Sequence, residues 1–168
     1  MGITLVPDER QTKGLIMSHS VFYNMILPIL HKVKNILFLN YKKSLDIIEQ
    51  IIKKLNIITP SVHLLVSNLS GGNQQKVVLS KAIASGSKIL LLDDPVLGID
   101  IESKREITTI IKDYIAFGRK AAILVSSEFE ILAEICDRVL ILKNGKVTGE
   151  LDKNKDYITE ENLLALVQ

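Results

Sequence analysis

At 168 residues the chain is long enough for one globular domain with a substantial core. Hydrophobic residues make up 47% and charged residues 24%, which excludes a disordered chain. Lys and Arg total 21 against 19 acids; a net charge of +2, scattered along the chain, argues against a nucleic-acid partner. Aromatics are only 5%, with no Trp, so Ile, Leu and Val must build the core, as suits a sheet covered on both faces by helices.

The N-terminal end opens with a short buried strand predicted over Ile3–Val6, closed by Pro7 and a charged loop through Gly14. An irregular helical pattern runs from Val21 to about Leu39, and Pro28 forces a break or kink in it. The same proline interrupts the longest apolar run, Met25 to Leu30, so nothing approaches the ~20 residues that span a bilayer. There is no basic-then-apolar leader, so neither a signal peptide nor a transmembrane segment is expected. The densest basic stretch, His31, Lys32, Lys34, Lys42 and Lys43, reads as a solvated helix face.

Leu45, Ile48, Ile51, Ile52 and Leu55 recur at helical spacing and predict an amphipathic helix over Lys42–Asn56. Thr59 to Asn68 forms a connector, and a further helix runs from Ser70 to about Ala84. Strand and helix then alternate: a buried strand over Ile89–Leu92, a helix over Ile101–Phe117 stopped by Gly118, and a second buried strand over Ala121–Val125. A helix from about Ser127 to Ile135 follows. Asn144-Gly145 marks a hairpin between Arg138–Leu142 and Lys146–Leu151, and a last helix spans about Glu160–Val167. The alternation implies an α/β fold with a mainly parallel sheet, and the helices between Phe22 and Asn68 read as an insertion between two parts of it. Cys136, the single cysteine, cannot form an internal disulfide and reads as a small buried hydrophobe, in keeping with a reducing cytosolic compartment.

Two strings carry chemistry. Leu69-Ser70-Gly71-Gly72-Asn73-Gln74-Gln75-Lys76 opens a helix with a capping serine and two glycines. Free backbone N–H groups and the helix dipole make such an end suitable for phosphate, while a simple cap and bend is the alternative. Leu90-Leu91-Leu92-Asp93-Asp94-Pro95 ends an aliphatic strand in two carboxylates, at the sheet edge where ligands gather. Asp93 suits Mg²⁺ held through water and Asp94 a general base; both acids can equally cap the next turn.

The order of these strings resembles the nucleotide-binding domain of ABC transporters. Leu69–Gln75 looks like the signature motif, with Asn73 where Gln is usual. Ile89–Pro95 resembles the Walker B strand, and Gly98-Ile99-Asp100 the D-loop. The wording Leu-Ser-Gly-Gly-Asn-Gln-Gln-Lys-Val, the opening Val6-Pro7-Asp8-Glu9-Arg10 with Gly14-Leu15, Thr59-Pro60-Ser61, Val125-Ser126-Ser127-Glu128 and Cys136-Asp137-Arg138 are similar to the second ATPase half of ribose, galactose and xylose importers.

The resemblance implies a partial P-loop NTPase core with an all-helical subdomain inserted. One partial ATPase domain would cover 1–168: helical subdomain at about 20–85, core parts at 1–19 and 86–151, and a C-terminal helix at 152–168. It implies ATP and Mg²⁺ as cofactors. Ser70, Gly71, Gly72, Asn73 and Gln74 would touch ATP in trans, Asp93 would hold Mg²⁺ through water, and Asp94 would be the base. Asp100 would be the D-loop aspartate, Ser127 would stand at the switch-histidine position and Asp8 at the Q-loop position.

The implied partners are a second nucleotide-binding domain, membrane permease subunits and, indirectly, a sugar-binding protein, at the cytoplasmic side of the membrane. Three departures stand out. The phosphate-cradling pattern Gly-x-x-x-x-Gly-Lys-[Ser/Thr] does not occur, Asp94 replaces Glu, and Ser127 replaces His. The first suggests a chain inactive alone, and oligomeric, swapped or marginally stable because a sheet strand is missing. None of His19, His31 or His63 can replace the switch histidine, since all lie upstream. The alternatives are a non-enzymatic remnant or regulatory subunit docking on an intact ATPase half, and a non-transport ABC ATPase.

Overall fold

The computed structural model describes residues 2–34 and 38–167. They form two compact units, 1–123 and 124–168.

In the first unit, β1 (Ile3–Val6) lies parallel to β2 (Ile89–Asp93) in the register Ile3↔Ile89 to Val6↔Leu92. Β3 (Ala121–Val125) completes a three-stranded sheet in the order β1-β2-β3, and the unit boundary falls within it. The parallel pairing agrees with an α/β core. The depth of the strands does not: Val6, Leu90 and Leu92 are buried, whereas Ile3, Leu5 and Ile123 are exposed. The aliphatic runs of β1 and β2 therefore behave as one-faced strands, alternating between buried and more exposed residues.

The helices that follow β1 are α1 (Val21–Ile26), a 3₁₀ turn at Leu27–Ile29 and α2 (Leu30–Val33). Pro28 produces the 3₁₀ turn in place of a continuous helix, and the chain leaves helical geometry at Lys34. Lys34 instead bridges to Leu39, so the expected helix does not extend that far; residues 35–37 lie outside the described residues. Helix α3 (Tyr41–Lys54) is capped by the Asn40 side chain, which accepts from Lys43 N, and it buries Ile48. Phe22 anchors this helical part, with its ring against Tyr23, Tyr41 and His63.

Helix α4 (Gly71–Ser85) ends at Gly86, whose left-handed φ of 78° closes the last turn. It packs against α1, β1 and α5 (Ile101–Ala116), and buries Gln74, Gln75, Lys76, Val77, Val78 and Leu79 in succession. A helix contacted on several sides has no solvated stripe, which is why its hydrophobic pattern is weak. Helix α5 turns Ile107, Thr108, Ile111 and Tyr114 inward and ends before Gly118 (φ 84°), as the helical spacing predicts.

In the second unit, α6 runs over Phe129–Ile135, two residues later than expected because Ser126 Oγ accepts from Glu128 N and shapes a turn first. Strands β4 (Arg138–Lys143) and β5 (Lys146–Asp152) pair antiparallel through Asn144-Gly145, both at positive φ, with a bulge at Ile141/Leu142. Helix α7 (Glu160–Val167) supplies the fully buried Leu163, which packs with Leu132, Val139 and Ile141. Cys136 lies half-buried at the edge of this cluster; burial, and then Asp137, push its thiol up, which suits a packing role.

Candidate functional site

The loop after β1 is not irregular. Arg10–Gly14 forms a single π-helical turn, and an α-type bond from Lys13 N to Glu9 O (2.9 Å) leads into it. The Asp8 carboxyl is held below its ordinary value by the Glu9 backbone N–H and then by Lys13 Nζ at 3.2 Å. The Q-loop candidate is thus tied into its own turn.

This turn lies along α4. At one end Arg10 Nε donates to Gln74 Oε1 (3.4 Å); at the other Gly14 sits so close to Val78 that an added Cβ would stand 2.9 Å from Val78 Cγ2. Lys81 Nζ donates to Gly14 O. Positions 74, 78 and 81 share one face of a helix, so a single stripe of α4 holds the whole turn.

Ser70 caps α4: its Oγ accepts from Asn73 N (3.4 Å) and from Asn73 Nδ2 (3.0 Å). Asn73 Oδ1 accepts from Ile58 N at 2.8 Å, so the side chain bridges the cap to the connector before it. The two glycines face the chain itself. An added Cβ on Gly71 would stand 2.9 Å from Arg10 Nη2, and one on Gly72 would stand 2.0 Å from Ser103 Oγ and 2.5 Å from Ser103 Cβ. Gly72 is therefore required by internal packing, quite apart from any anion, whereas at Gly71 an added Cβ meets only the far end of the Arg10 side chain, which can shift.

Ser103 belongs to the first turn of α5, whose cap is Asp100. Asp100 Oδ1 accepts from Ser103 N and Oδ2 from Ser103 Oγ, both at 2.8 Å. The backbone bond first, and the hydroxyl second, hold the Asp100 carboxyl below its ordinary value. Upstream, Leu97 N donates to Asp94 O (3.1 Å), and Gly98 adopts a left-handed φ of 66°. The D-loop candidate and the signature candidate thus meet at one corner, through the Gly72–Ser103 and Arg10 contacts.

Asp93 stands exposed at the end of β2, and Asp94 follows at φ 39°. Asp tolerates that left-handed region better than most non-glycine residues. Among the described residues no three His, Cys, Asp or Glu side chains converge on a metal. The exposed carboxylate of Asp93 suits Mg²⁺, which takes one or two carboxylates and completes its shell with water and phosphate oxygens. Ser127 is exposed after β3 and is described with the second unit.

Sequence reasoning passed over four residues that build the corner: Arg10 as a bridge, Ser103, and the pair Lys76–Glu106. Lys76, 2% exposed, meets Glu106 Oε2 at 2.6 Å and donates to Asn56 O at 2.8 Å, while Asn56 Nδ2 donates to Glu106 Oε1 at 2.9 Å. The available signal was a lysine inside the otherwise buried string Gln74–Leu79; a lysine there needs a partner.

The family described as ABC transporter matches residues 4–97. The chain is similar to the xylose import ATP-binding protein of Moorella thermoacetica, 40% identical over 98% of this chain and 32% of that protein. It is 38% identical to the ribose import ATP-binding proteins of Rhodopirellula baltica, over 97% of this chain and 31% of that one, and of Clostridium perfringens, over 98% and 32%. The chain spans about a third of the length of these curated relatives. Its fold matches two dimeric structures of one bacterial ABC transporter cassette. One, bound to ADP and phosphate, has a TM-score of 0.76 at 22% identity, over 89% of this chain and 62% of that one. The other has a TM-score of 0.73 at 21% identity, over 88% and 61%. Among the described residues no helix is long and apolar enough to cross a membrane.

Proposed function

The chain belongs to the ABC transporter family, and from that premise we propose that it is part of the ATP-binding protein of a sugar importer. In this reading it contributes the signature and D-loop corner to ATP held by a P-loop outside these 168 residues. The observation that carries the reading is the corner itself: a capped helix N-terminus, Ser70 to Gln74, joined to the Asp100 loop by direct packing. The xylose and ribose import names of the relatives support sugar as cargo.

The chemistry follows from charge. The first amides of α4 and the Ser70 hydroxyl offer hydrogen-bond donors at the positive end of a helix dipole, where a γ-phosphate gains negative charge during hydrolysis. Asp93 would hold a phosphate-bound Mg²⁺ through water, and Asp94 would accept a proton from the attacking water. Bound Mg²⁺ would neutralise phosphate charge. Ser127 would stand at the switch-histidine position, and Asp8 at the Q-loop position. The helical part, about 20–85, would face permease subunits at the cytoplasmic side of the membrane, with a sugar-binding protein on the far side.

The test mixes this chain with a nucleotide-binding half that carries an intact P-loop, and follows Mg-ATP hydrolysis. Adding the chain should raise the rate, and Ser70→Arg should abolish the gain, since a lost transition-state donor costs about 100- to 1,000-fold. The cap lost with Ser70 costs about 1 kcal/mol, so the variant still folds. Equal stimulation by Ser70→Arg and the parent chain overturns the reading. Calorimetry on the chain alone should show no tight Mg-ATP binding, because the triphosphate lacks donors enough to match its charge.

A further inference from the structure

We infer that Arg10 is a positioning residue that locks the signature loop to the D-loop, so that the two act as one rigid phosphate-facing corner; this rests on the proposed role of the signature in trans. The evidence is a three-way fork. Arg10 Nε donates to Gln74 Oε1 on α4 (3.4 Å), Nη1 to Leu97 O (3.2 Å) and Nη2 to Gly98 O (3.5 Å). Three elements distant in sequence, the turn after β1, the signature helix and the D-loop, thereby share one side chain.

These bonds are individually long, so the fork is held from both sides. Gln74 is 4% exposed, and its Nε2 donates to Val66 O (3.3 Å) and Leu69 O (3.2 Å). Those bonds fix the amide so that Oε1 alone is presented to Arg10. The guanidinium edge lies against Gly71, where a Cβ would come within 2.9 Å of Nη2 and 3.6 Å of Cζ. The π turn that carries Arg10 is anchored to α4 at its far end by the Gly14–Val78 contact and the Lys81 bond.

A planar guanidinium reaches all three acceptors from one position, whereas a lysine ammonium is a point donor that cannot span them. All three acceptors are neutral oxygens, so the bridge leaves the guanidinium charge in place beside the first turn of α4. Gly98 has a left-handed φ, and its carbonyl receives one arm of the fork, so the bend of the D-loop is set by the same side chain that steadies the signature.

The experiment compares the full chain with Arg10→Met, Arg10→Lys and Gly71→Ala, the last of which evicts the guanidinium without touching it chemically. Amide hydrogen exchange should accelerate about tenfold in residues 70–75 and 97–103 together in all three variants, with the remaining amides unchanged. Arg10→Met and Gly71→Ala should be non-additive in a double-mutant cycle, because they break the same contacts. With the P-loop-bearing half and Mg-ATP, Arg10→Met should lower kcat of the stimulated reaction about tenfold with KM unchanged, and Arg10→Lys should not rescue it.

Acceleration in only one segment, in neither, or throughout the chain overturns the inference, as does full rescue by Lys. If Ser70→Arg abolishes stimulation while Arg10→Met leaves kcat intact, the role of Arg10 falls and the trans reading stands. If the parent chain gives no stimulation, the trans reading falls, and coupled exchange of the two loops still decides whether Arg10 locks them.

Discussion

The corner formed by the π turn, α4 and α5 and the outer face of the β1–β2 pair are built from one stretch of chain on opposite principles. At the corner nearly every group is matched: Arg10 to three acceptors, Ser70 to Asn73, Asp100 to Ser103, Lys76 to Glu106 and Asn56. The sheet face is unmatched, with Ile3 and Leu5 each 57% exposed in strands whose other face holds Val6, Leu90 and Leu92 at 1% or less. The lesson is that directional contacts complete the corner within the described chain, while the sheet gains its burial energy from one side only. The two regions should respond differently to mutation.

The largest difference lies across the sheet. Leu92→Ala should destabilise by about 2–5 kcal/mol, since it opens a cavity on the closed face. Leu5→Thr, on the other face, should stay within about 0.5 kcal/mol and reduce self-association seen by light scattering. Denaturant melts that rank the two alike would break the comparison.

Next is the ion pair. Glu106→Ala leaves the buried ammonium with the Asn56 carbonyl but no counter-charge and should cost about 3 kcal/mol, whereas Lys76→Met replaces the charge with a packed thioether and should cost less than about 1 kcal/mol. The Glu106 carboxyl is held below its ordinary value of 4.5, first by the hydrogen bond from Lys76 and also by Asn56, against the opposing effect of burial. With the folded value depressed, the contribution is complete above pH 4.5 and is lost as pH falls through the lower folded value. Chemical melts from pH 6 to 3 should show that loss in the parent and not in Lys76→Met.

The smallest effect sharpens the reading of the glycines. Gly72→Ala should cost about 2 kcal/mol, because its Cβ would meet Ser103 Oγ and Cβ. Adding Ser103→Gly should recover most of that. Without recovery, the glycine serves something other than the fit of α4 to α5.

Much of this was legible from sequence because it is local. Ser70 as a cap, Gly86 and Gly118 as stops, Asn144-Gly145 as a hairpin turn and Pro28 as a break each express a backbone preference acting over a few residues. The motif strings around Ser70, Asp93 and Asp100 likewise pointed to the family through residues a few positions apart. What only the tertiary structure decided is which distant groups meet. Nothing in the spacing of Arg10, Gln74 and Leu97 says they share a fork, nor that the emptiness of Gly72 is filled by Ser103, nor that a lysine in the signature helix is buried against Glu106. The exposure of Ile3 and Leu5 has the same cause. An aliphatic strand carries its propensity in its own residues, but its burial depends on the layers that pack against it.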